Sequence, residues 1–154
     1  MKRLAFAVLA ACAVGGCVKS RTPKPIAPVI DEALPGTPDV VYAAALKAVG
    51  DEGLPLRFHD AATGGIETEY VDIATYAPGE SIQYPTPERM VRFRIVVAQN
   101  PQGPGTRLSI FALYQPFRTD FSTERNARSI PRDHPGMTVA RRLLERTQKA
   151  VGGG

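Results

Sequence analysis

The sequence predicts an α+β fold in which an antiparallel four-stranded meander packs against an N-terminal and a C-terminal helix. Three observations lead there. Two stretches with helical apolar spacing, one near residue 40 and one at the C-terminus, bracket the middle of the chain. Between them four short runs alternate apolar with polar residues. Gly- and Pro-rich turns separate those runs, with a longer loop over residues 74–87 between the second and the third.

The first helix starts at Thr37-Pro38-Asp39, with Thr at the N-cap, Pro at the first helical position and an acid in the first turn. At 100° per residue, Val41, Tyr42, Ala45, Leu46 and Val49 share one face, which is expected to enter the core. Gly50 or Gly53 ends the helix. Leu54, Leu56 and Phe58 then alternate with Arg57 and His59 as a first strand, which Pro55 places at an edge or makes irregular at its start. After a turn containing Gly64-Gly65, Ile66, Thr68 and Tyr70 alternate with Glu67 and Glu69. A loop over residues 74–87 carries Tyr76 and Tyr84, candidate contacts for a partner. Val91, Phe93, Ile95 and Val97 alternate with Arg92 and Arg94, and Leu108, Ile110, Ala112 and Tyr114 alternate with Arg107 and Ser109. The Pro/Gly turn between these two runs makes them a hairpin.

Residues 115–136 read as a long polar loop with Arg118, Arg125 and Arg128 as candidate interaction residues. A loop of that length in a compact domain is either functional or disordered. The closing helix spans 138–151, with Ala140, Leu143, Leu144, Thr147 and Val151 on its apolar side and an Arg141–Glu145–Lys149 ladder opposite. Arg57, His59, Glu67, Glu69, Arg92, Arg94 and Arg107 fall on the outer face of the meander, where an acidic strand between basic ones implies cross-strand ion pairs.

The N-terminus has a separate logic. Lys2 and Arg3 precede an uncharged apolar run over residues 4–14, followed by Gly15-Gly16-Cys17. That run is shorter than the roughly 20 residues needed to span a bilayer, and its layout is that of a secretory signal peptide. A small-residue pair before a Cys resembles the bacterial lipobox, in which the Cys is acylated and becomes the mature N-terminus. Leu9-Ala10-Ala11-Cys12 is a second match that would leave an apolar region of only about 8 residues. Ordinary cleavage after Ala13 is the third possibility, and it would export Cys17 as a thiol without a partner. The preferred organisation is a signal peptide over 1–16, lipidated Cys17 with a Pro-rich tether over 17–36, one domain over 37–151 and a flexible 152–154 tail. In that tether, Ile26, Val29 and Ile30 offer the material for a short edge strand. Val18 after the Cys implies sorting to the outer membrane, with the domain facing the periplasm.

Formal net charge is +4, from 19 Lys and Arg against 15 Asp and Glu. Export argues against a nucleic-acid partner. The charge is uneven, with a net of −5 over residues 18–84 and +7 over 85–154. An Arg-rich back half suits anionic headgroups, cell-wall polymers or an acidic protein, or is simply a solvated face. Catalytic signatures are absent. No serine has a G-x-S-x-G context, and His59 and His134 have no metal-ligand spacing, so no cofactor or metal is expected. Glu67 and Glu69 project from one strand face like paired carboxylates, but flanking arginines favour the ionised forms, which suits a hydrolase poorly.

Val40 to Val49, Gly53-Leu54-Pro55-Leu56, Asp60 to Gly64 and Ile66-Glu67-Thr68-Glu69-Tyr70 together resemble a repeated unit of the BamC family of outer-membrane assembly lipoproteins. The resemblance implies a helix-grip layout, a lipidated Cys before a Pro-rich segment, and no catalytic residues. This chain has one such unit where the family has two. The expected function is a membrane-anchored, non-enzymatic interaction or scaffold module, an accessory of outer-membrane or secretion assembly with an envelope protein partner. The alternative is a periplasmic module binding a small apolar ligand between helix and sheet.

Overall fold

A computed structural model of the chain describes residues 25–79, 87–114 and 127–153. The fold is α+β, with seven antiparallel strands and two helices among the described residues. The elements run β1 (Ile30–Leu34), α1 (Pro38–Asp51), β2 (Leu56–Asp60), β3 (Gly65–Thr68), β4 (Val71–Asp72), β5 (Met90–Gln99), β6 (Thr106–Tyr114), β7 (Arg128–Ser129) and α2 (Gly136–Gly152). A 3-10 turn, Pro87–Arg89, leads into β5.

The β5–β6 hairpin is the centre of the sheet, paired without interruption from Val91↔Tyr114 to Gln99↔Thr106. β3 and β4 lie along the other side of β5, β2 lies outside β3, and β1 and β7 flank β6. The expected four runs thus become β2, β3, β5 and β6, and three further strands extend the sheet to seven. Of these, β1 lies within the segment expected to be tether. Its pairing from Ile30↔Ile110 to Leu34↔Thr106 makes it an edge of the sheet. β7 lies within the expected long loop, and Ile130 just after it is buried. Residues 1–24, 80–86, 115–126 and 154 lie outside the described residues, Cys12, Ala13, Cys17, Tyr84, Arg118 and Arg125 among them.

One row across the sheet shows how alternation builds the core. Ile30, Ile110, Ile95, Ile66 and His59 stand side by side on β1, β6, β5, β3 and β2. Residues directly opposite on antiparallel strands share a face. That face packs against the buried sides of α1 (Val41, Ala45, Val49) and α2 (Val139, Ala140, Leu143). The space between α1 and the hairpin, where an apolar ligand would have to sit, holds Val41, Ala45, Val49, Phe93, Ile95, Leu108 and Ile110, each no more than 1% exposed.

Two expectations about faces are corrected by local causes. The first concerns β2. Leu56 and Phe58 were expected inside, but they are 42% and 55% exposed. Leu56 keeps the helix-side register opposite Thr68 but lies on the edge strand, and a register shift after it puts Phe58 opposite Glu67 on the open face and His59 opposite Ile66 on the helix side. One extra residue in a strand exchanges its two faces. The second concerns Arg92, expected in solvent but only 3% exposed, because Tyr70 covers it with its ring 4.2 Å from the guanidinium.

α1 starts where expected, with Thr37 at the N-cap position and Pro38 first, although the Thr37 side chain makes no cap bond. Gly53 ends it at φ +75°, with Leu54 N–H donating to Val49 O. Gly64 has a sharper requirement. Its φ is +67°, its carbonyl accepts Val97 N–H at 2.9 Å, and a Cβ there would meet Val97 O at 2.0 Å. Gly64→Ala is therefore expected to lower the unfolding free energy by about 2 kcal/mol or more. Urea titration checks it, and a change within experimental error would show that the β2–β3 turn relaxes freely.

Candidate interaction surfaces

The open face of the sheet carries the expected cross-strand ion pairs, in a more convergent form. Glu67 on β3 accepts from Arg57 Nη1 at 3.1 Å and Arg94 Nε at 3.0 Å, and pairs with Arg92 Nη1 at 3.0 Å. The carboxylate is 15% exposed, Arg57 and Arg94 are outer members of the cluster, and Arg92 is its buried member. Along the same face Asp31 on β1 accepts from Arg107 Nε and Ser109 Oγ, each at 2.8 Å. The Arg107 hydrogen bond is the main reason the Asp31 carboxyl sits below its usual value. The face is thus an ion-paired surface, with exposed Phe58 at its β2 edge.

A second cluster was not legible as a site in the sequence. Glu52, the C-cap of α1, has a side chain only 5% exposed. Its Oε1 accepts from Arg142 Nε at 2.8 Å and from the Tyr76 hydroxyl at 2.7 Å, and its Oε2 faces Arg146 Nε at 3.3 Å. Arg142 also donates to the Tyr76 hydroxyl. Burial opposes the Glu52 charge, yet the hydrogen bonds from Arg142 and Tyr76 and the two nearby guanidiniums outweigh it and hold the carboxyl below its usual value. The same burial, with the Glu52 charge, pushes the Tyr76 phenol up. Tyr76 was a candidate partner contact, and here it ties its own loop to both helices at φ +59°. The i, i+4 spacing of Arg142 and Arg146 could have signalled one shared acid, but nothing in the sequence says that the acid is Glu52.

His59 and Tyr42 form a smaller pair, 3.2 Å between Nδ1 and the hydroxyl, beside a cleft of about 340 Å³. Pro38, Asp39, Tyr42, the β2–β3 turn and the end of β5 line that cleft. The polar atoms of the turn are already engaged, since Asp60 accepts from Ala62 N–H and the Thr63 hydroxyl. His134 serves the fold as well. Its Nδ1 accepts Gly136 N–H at 3.0 Å, so its proton sits on Nε2 and is donated to Glu88 O at 2.6 Å. That joins the start of α2 to the approach to β5.

Glu69 lies at the bend between β3 and β4, its N–H bonded to Pro55 O, while the Glu67 carboxylate is held among Arg57, Arg92 and Arg94. Arg128 lies exposed on β7 opposite Tyr114. Among the described residues, no group of three His, Cys, Asp or Glu could hold a metal ion, and no helix is long and apolar enough to cross a membrane. The acidic front half and the basic back half of the chain meet in the fold. Asp31, Glu52, Glu67 and Asp72 pair with Arg107, with Arg142 and Arg146, with Arg92 and Arg94, and with Arg89. No protein-family profile matches the chain, and no curated protein matches it either.

Two outcomes follow from these clusters. Glu67→Ala leaves the buried Arg92 without its 3.0 Å carboxylate, and is expected to cost about 3 kcal/mol, whereas Arg57→Ala at the rim should cost less than about 1 kcal/mol. Equal costs in denaturant titrations would refute that ordering. For Glu52 the folded carboxyl lies below its unfolded value, which is about 4.3. Its contribution is therefore present above that value and lost as pH falls through the folded value. Glu52→Gln should lower Tm at neutral pH and lose less than the wild type when both are taken to acid pH. Parallel Tm-versus-pH curves would remove Glu52 from the acid response.

Proposed function

We propose that this chain is a lipid-anchored protein of the cell envelope, held at the outer membrane through Cys17 and facing the periplasm. There it works as a non-enzymatic interaction module, an accessory of outer-membrane or secretion assembly. The observation that carries this reading is the succession Lys2-Arg3, an uncharged apolar run over 4–14, and Gly15-Gly16-Cys17. The domain supports it in a limited way. Its charged clusters are built from ion pairs and hydrogen bonds that hold strands and helices together, as structural clusters are. A helix-grip arrangement, with α1 and α2 on one face of a curved sheet, belongs to the same proposal, as does kinship with the BamC unit. Support for it is the order strand, helix, antiparallel strands, helix.

The deciding measurement is the mass of the N-terminal peptide of the protein purified from membranes. A peptide beginning at Cys17 and carrying acyl mass is the expected result, with Cys17→Ala abolishing that mass and the membrane association. A peptide beginning at Val14 without acyl mass would end the lipoprotein reading. Acyl mass on a peptide beginning at Cys12 would move the anchor.

A further inference from the structure

β5 overruns its neighbour β3. The two pair from Glu67↔Arg94 to Gly65↔Val96, and Gly64 O then accepts Val97 N–H at 2.9 Å. Beyond that bond the chain leaves the sheet in the β2–β3 turn, while β5 continues to Gln99. The turn uses its own polar groups, since Gly64 N–H donates to Ala61 O and Ala62 N–H to Asp60 Oδ1. Successive residues of an antiparallel strand present N–H and C=O to opposite sides. Val97 faces β3 and Asn100 N–H donates to Gly105 O on the β6 side, so Gln99 faces the side that β3 has left. Among the described residues, nothing bonds the main-chain N–H and C=O of Gln99. They are the open end of a ladder.

Gln99 lines the cleft of about 340 Å³ beside Tyr42. One wall of that cleft is the β2–β3 turn, and the other is the start of α1, with Pro38, Asp39 and Tyr42. Gln99 continues the helix-side alternation of Phe93, Ile95 and Val97, and residues opposite each other across a ladder share a face. A residue paired with Gln99 would therefore turn its side chain toward α1. The charge standing there is negative. Asp39 is exposed and makes no ion pair among the described residues. Asp60 is close enough for its charge to add to burial in pushing the Tyr42 phenol up. Asp39 also offsets the partial positive charge at the start of α1. No Lys or Arg lines the cleft.

We infer that this cleft binds a short extended peptide segment of a partner protein, in which one lysine or arginine pairs its main chain with Gln99 and points its side chain at Asp39. This deepens the interaction-module reading and rests on it, but not on the acyl anchor. Strand addition supplies the main-chain bonds, and the wall of α1 selects the side chain. Pro38, Ala61 and Val97 flank the aliphatic stem that a long basic side chain buries on the way to its charge. An acidic side chain in the same place would meet Asp39 and Asp60 as like charges.

Binding is measured on the protein purified from membranes, by following its amide NMR shifts through titration with acetyl-Ala-Lys-Ala-amide. The expected response is a shift of the Gln99 amide, with Thr63 and Gly64 moving beside it. The neutral peptide acetyl-Ala-Gln-Ala-amide should bind about threefold more weakly, for want of one exposed ion pair. Asp39→Asn should cancel that preference. Glu32→Gln, which neutralises an exposed acid on β1 beyond β6, should keep it. A lysine peptide with an ester oxygen in place of the lysine N–H lacks the donor for Gln99 O and should bind about fivefold more weakly. Butylammonium, the side-chain cation without a main chain, should leave the Gln99 amide unmoved. Circular dichroism establishes that each variant is folded. Equal binding of the lysine and glutamine peptides, an ester that binds as well as the amide, or butylammonium that binds as tightly as the lysine peptide overturns the inference. The acyl-mass measurement separates the two readings: acylated Cys17 without lysine selectivity sinks this site alone, whereas selectivity without acylation keeps the site and sinks the anchor.

Discussion

The β5–β6 ladder is the constraint on which the rest of the molecule depends. β5 and β6 each have partners on both sides, so the period of two of their ladder is imposed on β3 and β4 through β5, on β1 and β7 through β6, and on β2 through β3. The inward side of β5, Val91, Phe93, Ile95 and Val97, gives the two helices their floor. Its outward side, Arg92 and Arg94, fixes which strand can lie next to it, because two guanidiniums on one face need an acid in register. Glu67 meets that need from β3. Hydrophobic burial sets the faces, and charge sets the neighbour.

The same economy recurs between the helices. Glu52 caps the end of α1 from a nearly buried position, and only Arg142, Arg146 and Tyr76 make that position tolerable for a carboxylate. One residue thus joins α1, α2 and the loop after β4. It follows that the uneven charge along the chain is mostly internal bookkeeping of the fold. Acids from the front half meet arginines from the back half across the sheet and between the helices. Among the described residues, Arg128 and Arg132 are exposed arginines that this pairing leaves over.

The N-terminal segment and the domain are less separate than a tether and its cargo. Residues expected to be linker are drawn into the fold from Val29 onward, because alternation in Ile30-Asp31-Glu32-Ala33-Leu34 offers Ile30 and Leu34 to the core side and Asp31 to Arg107. The chain thus joins the sheet beside β7, where Ser129 Oγ donates to Ala27 O.

The sequence by itself determined the α+β class, the start of α1, the central hairpin and the amphipathic closing helix. Each is written in a local period or a local turn, and Thr37-Pro38 or the run Val91 to Val97 needs no distant residue to be read. Tertiary structure alone decided the faces of β2, since a register shift at Leu56 is set by pairing with β3 and leaves no mark in the composition of the strand. It alone decided that Arg92 is buried, because Tyr70 reaches it from the bend between β3 and β4, and that Tyr76 turns inward to Glu52. The candidate surfaces divide in the same way. Cys17 is proposed from the sequence alone, because processing signals are read as linear strings. The Glu52 cluster and the β7 end were not, because each joins residues about a hundred positions apart, such as Ser129 and Ala27 or Arg142 and Glu52, and only the folded chain sets them side by side.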